Sequence, residues 1–408
     1  MEKLKNILIY SVPFALIVGI NYDFSDIIGM KVSVGYTEFI LFFLIIIIIF
    51  NYKIIIPKKI LHAFLFSLFG ILPSLFYLNK SISTISIIEL IRWIEYFILF
   101  ICVYSLLNSE NIKKSLIFFS IATVCFIGVA IYQVFTFNFF EKRIYGTFLS
   151  SANINGESES NPNVAGAFMS CCFLLFYSFK YFNVNKLVRI ILIVLQYICF
   201  ILVLYTLSRS AFVGLIIGGL LLMYLLKKSI LKYLIVFLLL ILVCIPFLND
   251  YKGSIIIQRG IDTFDARTLS GESVTARFKN TSSTLKVVSE NVFFGIGFGD
   301  LENQFNVVPD NFYIHILAET GVLGFITIII FLIIIFQELL KMKKNNKNIY
   351  FYYLINAFIA FYVSFLLENY AANLFRNPRL LGIFWYLLAI VYKFNLLNKI
   401  NLNETKES

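Results

Sequence analysis

Pro309-Asp310-Asn311-Phe312-Tyr313-Ile314-His315-Ile316-Leu317-Ala318-Glu319-Thr320-Gly321-Val322-Leu323-Gly324 runs from a polar segment into an apolar stretch that ends near Phe336. From Asn311 onward the run exceeds the roughly 20 residues that an α-helix needs to cross a bilayer. Asn311, His315 and Glu319 recur every four residues and so share one helix face. Polar groups on a span turn towards protein, so this stripe is expected to point inward. Upstream, from Arg277, lies the second half of the only long polar segment, with Gly295-Ile296-Gly297-Phe298-Gly299 near its end.

The rest of the chain repeats the apolar theme. Of 408 residues, 60% are hydrophobic, 18% aromatic and 14% charged. A soluble domain carries about 25% charged residues. The sequence predicts an all-α polytopic membrane protein forming one integral domain, residues 1–408. About twelve transmembrane helices are expected. They fall near 7–20, 36–51, 60–78, 84–107, 115–137, 163–182, 187–207, 210–226, 231–248, 311–336, 350–368 and 380–396. The first follows Lys3 and Lys5 but no small-residue cleavage site, so it reads as a span and not a signal peptide. The segment 249–309, between spans nine and ten, is expected to be a large extracytoplasmic loop.

The net charge of +11 sits mostly in short loops and marks orientation, not nucleic-acid binding. With the N-terminus cytoplasmic, the inner loops hold Lys53, Lys58, Lys59, Lys113, Lys114, Lys180, Lys186, Arg189, Lys227, Lys228, Lys232, Lys341, Lys343, Lys344 and Lys347. The short outer loops hold fewer cations, so both termini are expected in the cytoplasm. All six cysteines lie in apolar runs and read as small core residues. Two histidines are too few for a His-rich metal site, and no metal is expected. The glycine triplet lacks a βαβ context, so it is not a dinucleotide fingerprint, and no cofactor is expected. Its glycines instead allow tight turns.

Three spans open at the outer face with polar residues: Asn161-Pro162-Asn163, Ser208-Arg209-Ser210 and Pro309-Asp310-Asn311. Helix N-termini with arginines nearby suit phosphate. The plainer reading makes Asn161, Ser208 and Asp310 N-caps. Arg209, Arg277, Arg376 and Arg379 together suit a pyrophosphate, although each alone reads as a surface or snorkelling charge. Glu89, Arg92 and Glu95 sit three residues apart in span four and read equally as a self-paired cluster or as substrate-facing groups. His315 reads first as a hydrogen-bonded core histidine.

Asn161-Pro162-Asn163-Val164-Ala165-Gly166, Leu207-Ser208-Arg209-Ser210-Ala211-Phe212-Val213-Gly214, Ala276-Arg277, Phe294 to Gly299, and Asp310-Asn311 through Gly324 resemble the O-antigen ligase/polymerase family of membrane glycosyltransferases. The resemblance covers roughly residues 160–325. Ligases of that family typically carry a histidine just before the Asn at this helix start, where this chain has Asp310. That departure favours a polymerase. The resemblance implies transfer of glycan from undecaprenyl pyrophosphate to a lipid-linked acceptor, at the outer face of a bacterial inner membrane. It implies no cofactor, and a flippase and a chain-length regulator as partners. On that reading Arg209 and Arg277 act on the pyrophosphate, and Asp310 is the candidate base. Asn161, Asn163, Ser208, Ser210, Asn311, His315, Glu319, Arg376 and Arg379 would bind substrate. The alternatives are a ligase of the same family and a flippase or transporter, although related halves and broken midplane helices, frequent in transporters, are not apparent.

Overall fold

The computed structural model describes residues 2–19, 21–23, 33–51, 54–77, 83–136, 144–152, 158–160, 162–182, 184–230, 272–346 and 348–407. Its helices are α1 (Glu2–Ile17), α2 (Tyr36–Asn51), α3 (Lys58–Ile71), α4 (Ser74–Tyr77), α5 (Thr84–Leu106), α6 (Ser109–Thr136), α7 (Pro162–Phe179), α8 (Lys186–Tyr205) and α9 (Arg209–Leu225). After the undescribed 231–271 come α10 (Glu272–Glu290), α11 (Leu301–Phe305), α12 (Phe312–Asn345), α13 (Ile349–Glu368), a 3-10 turn (Leu374–Arg376) and α14 (Pro378–Glu407). Two antiparallel ribbons, Asn21–Asp23 with Ser33–Gly35 and Leu149–Ala152 with Ser158–Ser160, are the strands among these residues.

Among the described residues, seven helical segments are long and apolar enough to cross a membrane: Lys58–Phe76, Ser109–Thr136, Pro162–Phe179, Lys186–Tyr205, Phe312–Asn345, Ile349–Glu368 and Pro378–Ile400. The expected spans at 36–51 and 210–226 are shorter apolar helices. The one at 84–107 is a 23-residue helix carrying Glu89, Arg92 and Glu95. The first is the 16-residue α1, and 231–248 lies outside the described residues.

α12 packs on α3, α8 on α7, α9 on α13, and α14 on α5. In lipid, small residues at such interfaces let helix backbones approach closely. A Cβ on Gly70 of α3 would overlap Thr327 of α12, so that contact requires glycine. At the centre Trp385, 2% exposed, meets Phe97 and Phe100 with ring centroids 5.7 and 5.6 Å away, both edge-on. Edge-to-face aromatic pairs of this kind add roughly 0.5–1.5 kcal/mol beyond their burial.

α12 is not continuous. Gly321 has φ 64° and ψ −172°, a conformation that breaks the helix and that is essentially glycine-only. The carbonyls of Ala318 and Glu319 therefore lose their helical partners. They accept instead from the N–H groups of Ile296 and Gly297, at 3.1 and 3.0 Å. Beyond the break, the N–H groups of Val322 and Leu323 donate to the carbonyls of Val292 and Phe293, at 2.8 and 3.3 Å. Gly295, Gly297 and Gly299 all have positive φ, and a Cβ on Gly295 would overlap the Glu319 carbonyl. The glycine triplet is thus a backbone plug for a helix break. Its use as a set of tight turns agrees with the sequence; its target does not follow from it.

Candidate functional site

The plug brings a polar cluster together at the end of the bundle where α5, α12 and α14 begin. Asp300, just past the glycines, accepts from Ser83 Oγ at 2.7 Å and Ser86 Oγ at 2.8 Å. These bonds fix the loop to the start of α5. Beneath it, Glu319 is fully buried and His315 is 1% exposed. His315 Nε2 lies 2.8 Å from Glu319 Oε1, and Arg376 Nη1 donates to the same oxygen at 2.8 Å. Arg376 Nη1 and His315 Nε2 are also in direct contact. A guanidinium cannot accept, so both groups converge as donors on one carboxylate oxygen. Asn373 Nδ2 then donates to His315 Nδ1 at 2.6 Å, which fixes the Nε2–H tautomer.

Arg376 also faces Glu89 Oε2 at 3.7 Å, while Glu89 Oε1 accepts from Arg92 at 2.7 Å. Burial works against the Arg376 charge, but the Glu319 and Glu89 carboxylates outweigh it and raise its pKa. The cluster therefore holds two guanidiniums against two carboxylates. The inward stripe and the hydrogen-bonded histidine agree with the sequence. The self-paired cluster in α5 is an Arg92–Glu89 pair that also reaches another helix, through Arg376.

The outer arginines divide. Arg277 Nε pairs with Asp310 Oδ2 at 2.8 Å, with side chains 48% and 45% exposed. Asp310 is not the cap of α12. Asn311 is, its side chain accepting from the N–H groups of Tyr313 and Ile314. The cap falls one residue later than the sequence places it, leaving the Asp310 carboxylate to the arginine. Ser208 does cap α9, accepting from the Ala211 N–H, and Ser210 Oγ lies 3.2 Å from Ser208 Oγ. Arg209 beside it is exposed. Arg379, 6% exposed, donates to the Thr147 carbonyl at 2.7 Å and so ties the segment before the second ribbon to α14.

Two helix starts lie side by side: a Cβ on Gly166 of α7 would touch Ser208 and Ala211 at the start of α9. Asn163 is partly buried at the second position of α7, and Asn161 lies outside the described residues. The α9 start is linked onward through α13. A Cβ on Gly214 would overlap Glu368, and the Asn369 carbonyl accepts from the Phe312 N–H at 3.0 Å. The starts of α7, α9 and α12 therefore share one end of the bundle. Asp300 and Asn373 have no sequence signal beyond proximity to glycine or an arginine. Among the described residues no group of His, Cys, Asp and Glu is arranged to hold a metal ion.

Residues 194–329 match the family model described as O-antigen ligase, in agreement with the O-antigen ligase/polymerase family that the sequence resembles. The matched segment contains Ser208, Arg209, Arg277, Asp310, Asn311, His315, Glu319 and the glycine plug. No curated protein matches the chain. The apolar helices are those of a multi-pass membrane protein, and the matched segment is similar to a family of bacterial membrane enzymes of the ligase or polymerase type, which implies lipid-linked polysaccharide substrates.

Proposed function

We propose that the chain polymerises undecaprenyl-pyrophosphate-linked repeat units into a surface polysaccharide at the outer face of the bacterial inner membrane. The single observation carrying this reading is the Arg277–Asp310 ion pair, half exposed above the capped start of α12. An acceptor hydroxyl oxygen attacks the anomeric carbon of the donor glycan. The carbon–oxygen bond to the diphosphate breaks, and the hydroxyl proton passes to Asp310. A protonated Asp310 no longer holds Arg277 by charge. The guanidinium is then free to meet the negative charge that develops on the departing diphosphate. Arg209 and the N–H groups at the starts of α7 and α9 supply further positive potential at the same end. The leaving group is already good, so the residues named supply the chemistry without a metal.

Asp310→Asn keeps the side-chain shape but removes the base, and Arg277→Ala removes the counter-charge. In cells with matched protein levels, each is expected to cut the polysaccharide ladder at least tenfold, leaving single repeats. An unchanged ladder in either variant removes that residue from the mechanism. The ligase reading is favoured by the description of the matching family model. It makes the opposite prediction: inactive variants accumulate long lipid-linked polymer instead of single repeats.

A further inference from the structure

Glu89, Arg92, Trp93, Phe298, Phe375 and Arg376 line a narrow cleft between α5, the glycine plug and the 3-10 turn before α14. Three observations make it a candidate binding site distinct from the Arg277–Asp310 pair. First, its polar groups are reachable: Arg92, Glu89 and Arg376 keep 28%, 21% and 25% of their side chains exposed. Second, they have unused capacity. Each guanidinium has five N–H groups and each carboxylate about four acceptor positions, and the internal bonds occupy only a few of them. Third, Trp93 is only 7% exposed, yet among the described residues its indole N–H has no acceptor. A buried donor left unsatisfied costs about 1–3 kcal/mol unless something accepts from it.

Charge decides the class of ligand. The lining sets Glu89 against Arg92 and Arg376, and the buried Glu319 behind it takes up the Arg376 charge, so a diphosphate would meet the Glu89 carboxylate and little net positive charge. An uncharged polyhydroxylated ring has donors for Glu89, acceptors for Arg92, Arg376 and Trp93, and apolar C–H faces for Phe298 and Phe375. Trp93 and Phe298 already stand edge to face at 6.4 Å, which forms one apolar wall.

We propose that this cleft is a subsite for an uncharged sugar of the lipid-linked glycan next to the one that reacts at Asp310, and that Glu89, Arg92 and Trp93 determine which sugar is accepted there. The inference rests on the glycan-transfer reading above but not on which end carries the base. Arg376 is held from below by Glu319 and His315, so those two act as positioning residues for the cleft and do not touch the sugar.

The test reads binding, not turnover. The chain has two tryptophans, Trp93 and Trp385, so Trp385→Phe leaves Trp93 as the sole indole reporter. The full-length variant in lipid nanodiscs is titrated with methyl glycosides of neutral hexoses and N-acetylhexosamines, and separately with inorganic pyrophosphate. At least one glycoside is expected to shift Trp93 emission saturably, with affinity at least tenfold weaker in Glu89→Gln. Pyrophosphate is expected to leave the emission unchanged. No response to any glycoside, a response to pyrophosphate alone, or equal affinity in Glu89→Gln overturns the proposal. Phe298→Leu, checked for a monodisperse folded peak, serves if Glu89→Gln does not fold, and unchanged affinity there also overturns it. Saturable glycoside binding with no polysaccharide made in cells would instead count against the polymerase reading and leave the subsite standing.

Discussion

At the scale of single residues, Glu319 sets the strongest expectation. It is the shared acceptor for His315 and Arg376, and all three meet inside the protein. Glu319→Ala leaves a guanidinium and an imidazole donor facing each other without a carboxylate. Breaking a buried pair by removing one partner costs about 3–5 kcal/mol. Glu319→Gln keeps an acceptor oxygen, so a clearly smaller loss is expected. Unfolding of the detergent-solubilised protein by denaturant compares the two, and equal losses would mean that charge, not the hydrogen bonds, holds the cluster. The stripe that contains Glu319 is legible in the sequence because its spacing of four fits a helix turn. Its partners are not, since Arg376 and Asn373 lie more than fifty residues further along the chain. The same limit explains Asp310. Cap preference is nearly equal for Asp and Asn, so local chemistry does not decide between neighbours, whereas Arg277 does.

At the scale of elements, the decisive feature is the break in α12. Gly321→Ala forces a side chain into a strained backbone conformation, worth roughly 1–3 kcal/mol. The new Cβ would also collide with the Phe293 carbonyl. Gly295→Ala should behave alike from the other side of the contact, because it would press on the Glu319 carbonyl. Both variants are expected to lower the unfolding midpoint. Gly128→Ala, where a Cβ would meet nothing within 4 Å, is expected to be neutral. If all three behave the same way, the plug does not hold the break. That the glycines serve tight turns follows from their chemistry. That they complete another helix's backbone bonds does not, because hydrogen-bond partners across sequence leave no period in the chain.

For the whole molecule, the polar groups separate to two ends. Arg277, Asp310 and the Glu319 cluster lie where α12 begins. Lys59 and Lys341, both paired with Glu338 at 3.1 and 3.0 Å, lie where it finishes. From the lysine-rich short loops we propose that the second end is the cytoplasmic one. With exposed Cys125 replaced by Ser, Asn303→Cys is expected to react with a membrane-impermeant maleimide in intact spheroplasts. Lys341→Cys should react only after permeabilisation, and the reverse pattern would invert the molecule and the proposed reaction with it. The helical class and most span positions are readable from apolar run length alone. The charge-rich helix at 84–106 is readable as a helix but not as a wall of the cleft, since run length says nothing about neighbours.

The exchange of backbone bonds between residues 292–297 and 318–323 has a consequence for how the protein is made. A nascent chain emits the earlier segment first, so the glycine loop is already made when the interrupted helix that it completes arrives. Insertion of that helix is then finished by a partner delivered moments before, not by lipid. Chains in which residues 292–297 fail to dock would present an open gap of amide and carbonyl groups at 318–323 to hydrocarbon, a fault that membrane proteases could read directly.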